Sequence, residues 1–311
     1  MECGCSAPHS PRVDAHGIPM DFGDSATKLA VRRAEPGERL RSFVHCYLQR
    51  DARVDGVVTV EPVMARLEQA FEFHFGEPYE VRLYGSEARD ACPPVVVVGP
   101  QTHRRARLIL HGTLSAFAVM LRPAGLHGLF GLPLDRFADC GTDAHSLLGR
   151  SVTELRERLG NTATFAERVR LIEEYLSQRL LGRPPADPFA RTIAIVLRRA
   201  QARVGDPWAR DRVSDIAIQT GLSTRQFERR FREYTGVAPI VFTRIARFQE
   251  ALRLKRAPGF LSWIAIAHTL GYHDQMHMTR DFYGLAGDSP SRAIVQVSPE
   301  HIMSALTQEG A

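Results

Sequence analysis

The sequence predicts an α+β protein: a β-rich, barrel-like N-terminal domain with connector helices, then an all-α C-terminal domain with two helix-turn-helix units. Three observations carry that prediction. Short runs of β-branched and aromatic residues, punctuated by Gly and Pro, fill residues 39 to 121. After residue 150 the apolar period becomes that of a helix. The pattern of residues 215–239 then recurs at 265–290, with one residue inserted.

A chain of 311 residues accommodates two domains, and 44% hydrophobic with 24% charged residues is an ordinary globular composition. Residues 1–21 mix Pro, Gly, Ser and His without periodicity and are expected to form a flexible tail. The opening MECGCSAPHSPR lacks the apolar stretch of a signal peptide, and no run approaches the roughly 18 apolar residues of a membrane helix. A cytoplasmic location and no membrane partner are therefore expected. The five cysteines, Cys3, Cys5, Cys46, Cys92 and Cys140, are odd in number and lack CxxC spacing, which predicts unpaired thiols, no metal site and no cofactor.

In the N-terminal part the strand-like runs are Val57 to Val60, Phe71 to Phe75, Val81 to Tyr84, Val95 to Val98, Arg107 to Leu110 and Ala116 to Leu121. Their spacing fits a small barrel or sandwich. Two capping boxes, Ser151 with Glu154 and Thr164 with Glu167, announce helices. Phe165, Val169, Ile172, Leu176 and Leu180 then form one apolar stripe, suited either to a homodimer surface or to covering the barrel. RPPADP at 183–188 breaks the chain and divides it into domains at 22–183 and 188–300. His74, His103 and His111 form no HxH metal pair. Tyr47, Tyr79 and Tyr84 are candidates either to line a pocket or to sit in the core, and no residue identifies a ligand.

Within the repeat, Ile216-Ala217 matches Ile266-Ala267, Gly221 matches Gly271, Phe231 matches Phe282, Gly236 matches Gly287 and Pro239 matches Pro290. One residue is inserted after the glycine of the second copy. With Ser223 and Asp274 as N-caps the remainder aligns by count, because each cap oxygen accepts an orphan amide hydrogen of the first helical turn. Phe227 and Met278 at +4, with Phe231 and Phe282 at +8, share the inward face; +2 and +6 lie opposite. The outward positions are Arg225 and Arg229 in one copy and Met276 and Arg280 in the other. Such helices fit the DNA major groove, where arginine reads guanine and His, Gln or Met meets other base edges. Charge agrees: residues 1–186 hold 23 Lys+Arg against 23 Asp+Glu, whereas 187–311 hold 17 against 12. A basic module beside a neutral one implies a polyanionic partner for that module.

GLSTRQFERRF, GYHDQMHMTRDF and the intervening VAPIVFTRIARFQEAL resemble the C-terminal DNA-binding domain of AraC-type (AraC/XylS) transcriptional regulators, over roughly residues 188–295. The resemblance implies a bacterial transcription factor whose two recognition helices enter successive major grooves of double-stranded DNA, held by a bridging helix. Carried over residue by residue, it implies DNA contacts at Arg225, Glu228, Arg229, Gln275, Met276, His277 and Arg280. Glu228 is equally placed for an ion pair with Arg225 or Arg232. Met278 stands where an aromatic residue is usual, which predicts looser packing, and Gly284 is expected to weaken the end of its helix.

Less specifically, VVVVGPQTHRRARLILHG and FAVMLRPAGLHGLFGLPLDRFAD are similar to the β-rich sensor or dimerisation domains that precede this module. That similarity implies a small-molecule effector, a homodimer and, for an activator, contact with RNA polymerase. A constitutive dimeric DNA binder without ligand is the alternative. A DNA-repair alkyl-acceptor enzyme fused to the same module is a third reading, prompted by Cys3 and Cys5. It lacks a four-ligand metal cluster, a nucleophilic triad or paired carboxylates, so no catalytic residue is assigned and no enzyme is expected.

Overall fold

The computed structural model describes residues 28–85, 89–181, 188–202, 213–259 and 261–296. The expected tail, Cys3, Cys5 and most of the predicted domain boundary lie outside the described residues.

The N-terminal domain is one antiparallel sheet. Strands β1 (Lys28–Ala34), β2 (Val44–Val63), β3 (Gln69–His74), β4 (Glu80–Leu83), β5 (Arg89–Ala91), β6 (Val95–Val98), β7 (Ala106–Leu121) and β8 (Gly141–Asp143) run in the order β1-β2-β7-β3-β6-β8. β4 pairs with β7, and β5 with β4. The sheet is open, since β1 and β8 are each paired on one side only, so the barrel expectation is corrected to an unclosed sheet within the same α+β class. The runs at 107–110 and 116–121 are one strand of 16 residues. Gly112, at φ 62, absorbs the interruption inside the strand instead of turning the chain.

Side chains alternate across the sheet. Tyr47, Phe71, Phe73, Phe117, Val119 and Leu121 meet the helices α1 (Gly125–Phe130), α2 (Ala144–Leu148), α3 (Arg150–Gly160) and α4 (Phe165–Leu180) on one side. Ile172 and Leu176 of α4 are fully buried there, and Phe165, Val169 and Leu180 pack against the same cluster. The stripe therefore covers the sheet, the second of its two expected roles. Of the two capping boxes, Thr164 with Glu167 is formed, with backbone-to-side-chain bonds of 3.2 and 3.1 Å. Ser151 with Glu154 is not: α3 starts two residues earlier, with Gly149 as N-cap at φ 76, and Glu154 instead pairs with Arg150 at 3.1 Å.

The opposite side of the sheet carries a buried polar group. Arg50 Nη2 lies 3.4 Å from Glu72, Glu72 lies 3.8 Å from His74 Nε2, and that nitrogen is 3.6 Å from Cys92 Sγ. Burial pushes the Cys92 thiol up to about 12 and lowers the affinity of His74 for a proton, against the pull of Glu72. The three tyrosines do not share a pocket: Tyr47 stacks on Phe117, Tyr79 meets His74 edge-on, and Tyr84 accepts a bond from Arg104. His103 sits beside Asp139 and His111 is exposed.

The C-terminal domain comprises α5 (Pro188–Gln201), α6 (Val213–Gln219), α7 (Thr224–Thr235), α8 (Pro239–Arg256), α9 (Trp263–Thr269), α10 (Gln275–Ala286) and α11 (Pro290–Gln296). The bridging helix α8 is apolar on several sides, because Phe242 meets Phe231 of the first unit while Phe248 meets Phe282 of the second. Met64, Ala65 and Leu67, from the segment between β2 and β3, join this helical core. His127 of α1 also stacks on Tyr234 of α7, ring centres 3.8 Å apart, so the two domains are packed together. No described helix is long and apolar enough to cross a membrane. Cys46, Cys92 and Cys140 are free thiols.

Candidate nucleic-acid interface

Each helical unit turns at a left-handed glycine, Gly221 at φ 69 and Gly271 at φ 67. Nothing lies within 4 Å of a Cβ built on Gly221, so its requirement there is backbone conformation and not space. The recognition-type helices then restart on the predicted caps. Ser223 Oγ accepts from Gln226 N at 3.3 Å while Gln226 Oε1 accepts from Ser223 N at 3.0 Å, a complete capping box. Asp274 Oδ1 accepts from His277 N at 2.7 Å. That bond, and next the neighbouring His273 side chain, hold the Asp274 carboxyl below its ordinary range. Gly236 and Gly287 close the two helices, both left-handed.

The inward positions are sealed: Phe227, Phe231, Met278 and Phe282 are all buried. Met278 has no exposed surface, so the flexible thioether occupies the inward position where an aromatic ring is usual. Gly284 does not end α10, which continues to Ala286, and a Cβ there would stand 3.4 Å from Arg244 Nη2. The outward positions are open. Arg225, Arg229, Gln275, Met276, His277 and Arg280 are exposed, Met276 at 61%, and Glu228 is half-buried. Arg225, Glu228 and Arg229 come together on one hollow that Arg232 also lines, while the other four sit on α10. Of its two candidate partners Glu228 takes Arg232, at 3.6 Å.

One functional pair was missed from the sequence. Arg244 of α8 binds Asp281 of α10, fastening the second unit to the bridging helix. The signal was a charge reversal: the equivalent residue of the first unit is Arg230, which lies over the Phe189 ring of α5 at 4.9 Å.

Residues 216–294 match the family described as a helix-turn-helix domain. The C-terminal domain is an AraC-type helix-turn-helix domain. This AraC-type domain makes the chain a DNA-binding transcriptional regulator. Residues 32–143, the sheet that precedes the AraC-type domain, match a domain of unknown function (DUF6597). No curated protein matches the chain. Among solved structures it is similar to an apo, singly substituted ToxT from Vibrio cholerae strain SCE256, at 11% identity and TM-score 0.46 over 81% of this chain and 98% of that one. It is also similar to ToxT from Vibrio cholerae O395, at 10% identity and TM-score 0.44 over 88% and 99%. The AraC-like transcriptional activator CuxR follows, at 13% identity and TM-score 0.27 over 71% and 86%.

Proposed function

We propose that α7 and α10 enter successive major grooves on one face of double-stranded DNA, with Arg225, Glu228 and Arg229 reading one block and Gln275, Met276, His277 and Arg280 the other. The observation that carries this reading is an equivalence: Arg229 and Arg280 stand at the same distance from their caps, both exposed, above +4 and +8 residues that are buried. In this reading residues 188–300 are the DNA-binding domain and residues 22–183 the sensor, in a cytoplasmic regulator without catalytic activity. A homodimer uses a face other than the α4 stripe, and an activator would present a further surface to RNA polymerase. A small-molecule effector is assigned to the sensor. Support for it comes from the buried Glu72, His74 and Cys92 with the partly buried Arg50, since buried ionisable clusters cost stability and gather at functional sites.

The test is binding of the full chain to randomised duplex DNA by fluorescence anisotropy across a salt series. Affinity is expected to fall linearly in log–log form as counterions are released from phosphates. A folded chain with no DNA affinity at low salt overturns the reading. Thermal-shift screening against small metabolites tests the effector, because any ligand of the native state raises the midpoint.

A further inference from the structure

Gly236 and Gly287, which close α7 and α10, are equivalent residues of the repeat, and both rest against one loop of the N-terminal domain. A Cβ on Gly236 would meet Pro100 Cγ at 2.8 Å and the Leu134 carbonyl oxygen at 3.0 Å. A Cβ on Gly287 would meet Arg104 Cδ at 2.8 Å. The stretch from Pro100 to Arg104, between β6 and β7, therefore touches the C-terminal ends of both helices.

That loop is braced along its length. Asp139 accepts from Thr102 through the backbone N–H at 2.7 Å and the hydroxyl at 2.6 Å, and its own N–H donates to the Pro100 carbonyl at 2.9 Å. Arg104 Nε donates to the Tyr84 hydroxyl at 2.8 Å, with the guanidinium 4.9 Å above the ring. Gln101 exchanges two backbone hydrogen bonds with Arg66, at 2.8 and 2.9 Å, which ties the loop to the segment 64–68. This second segment reaches the helical domain as well: Ala65 N donates to the Leu285 carbonyl of α10 at 3.0 Å, and Gln249 of α8 bonds both Leu67 N and Glu68. One rigid platform thus contacts the first unit, the bridging helix and the second unit.

We infer that Pro100 and Arg104 are positioning residues that fix the separation and tilt of α7 and α10, so that the N-terminal domain sets the spacing of the two DNA blocks together with the bridging helix. The inference rests on the reading of α7 and α10 as recognition helices. Leverage makes the contact consequential. A helix of 12 residues is about 18 Å long, so a tilt of about 10° about its C-terminal end moves its DNA-facing end by ~3 Å, close to one base-pair rise.

The experiment uses the full chain as wild type, Pro100→Ala, Arg104→Ala and the double variant, with folding checked by circular dichroism and melting. Each is titrated with a DNA panel in which the two selected blocks are moved apart or together one base pair at a time. Wild type is expected to show one sharp optimum, with a loss of about tenfold for a one-base-pair shift, the size of a single mismatched position. The variants are expected to lose about threefold at the optimum and to flatten the profile, the one-base-pair penalty shrinking to about threefold or less. Folded variants that keep the wild-type ratio between optimal and shifted sites overturn the inference, and so does a uniform loss at every spacing. Should Arg104→Ala not fold, Tyr84→Phe removes only the hydroxyl that holds Arg104 and is expected to flatten the profile in the same direction. If wild type binds no two-block DNA, the reading of the recognition helices falls and the inference with it; a sharp optimum unmoved by the variants removes the inference alone.

Discussion

Arg244 on the bridging helix and Asp281 on α10 form the polar joint of the second unit, with Nε and Nη2 at 2.9 and 2.8 Å from the same carboxylate oxygen. The two side chains are unequal in burial, 44% exposed for Arg244 and 8% for Asp281. That asymmetry decides which substitution does more harm. Removing the arginine leaves a buried carboxylate without this partner, whereas removing the acid leaves a cation that reaches water.

Arg244→Ala is therefore expected to destabilise the chain by about 2 kcal/mol and Asp281→Asn by about 1 kcal/mol, between the ranges for exposed and buried pairs. Urea unfolding of the full-length variants measures both. Equal losses would show that burial of Asp281 is not what gives the pair its weight.

The two caps differ in their response to acid. Asp274 holds its carboxyl below the ordinary range, so its contribution is fully present above the unfolded-state value and disappears as pH falls through the lowered native one. Ser223 does not titrate. The stability gap between wild type and Asp274→Ala should hold from neutral pH down to about 4, where the unfolded carboxyl titrates, and narrow as pH falls on through the lowered native value, while Ser223→Ala should cost about 1 kcal/mol throughout. A gap at Asp274 that ignores pH would mean the carboxylate charge does not contribute to the cap.

His74 supplies the second pH dependence. Burial lowers its proton affinity, and Arg50 and Arg156 act in the same direction against Glu72. The unfolded chain therefore binds the proton first, and stability falls as pH drops from the ordinary histidine value of 6.5 toward the lowered native one. In His74→Gln the urea midpoint should change less across that window. An unaltered slope would place the acid sensitivity elsewhere.

The helical half was legible in the sequence because its information is local. Gly221, Ser223 and Phe227 lie within two turns of one another, and a repeat shows each of them twice. The sheet was less legible because strand pairing is not local. Gly112 reads as punctuation until β2 and β3 are known to flank β7 on both sides, and the charged β1 has no alternating apolar face to announce it. Ser151 and Glu154 had the correct spacing for a cap, yet Gly149 had already begun the helix. The seating of Gly236 on Pro100 and Gly287 on Arg104 joins segments from different domains, and no periodicity in either segment encodes it.

Arg229 and Arg280 give the sharpest test of base reading, because the caps place them equivalently on two exposed helix faces. Helices docked in adjacent major grooves predict two short blocks about 10 base pairs apart on one DNA face, one helical turn. Each arginine then acts on its own block. Arg229→Ala should relax sequence preference in one block and Arg280→Ala in the other, each at about 1–3 kcal/mol for a bidentate contact to guanine. A role confined to phosphate predicts instead a uniform loss over all sequences and a shallower salt slope. The first block should be the stronger, since Arg225 and Arg229 give α7 two guanidinium groups on one face and α10 offers one. Met276, 61% exposed beside His277, is expected to meet a thymine methyl in the second block. Site selection from random DNA with wild type and both variants separates these outcomes, and an Arg280→Ala logo identical to wild type would show that the second unit does not read bases through that arginine.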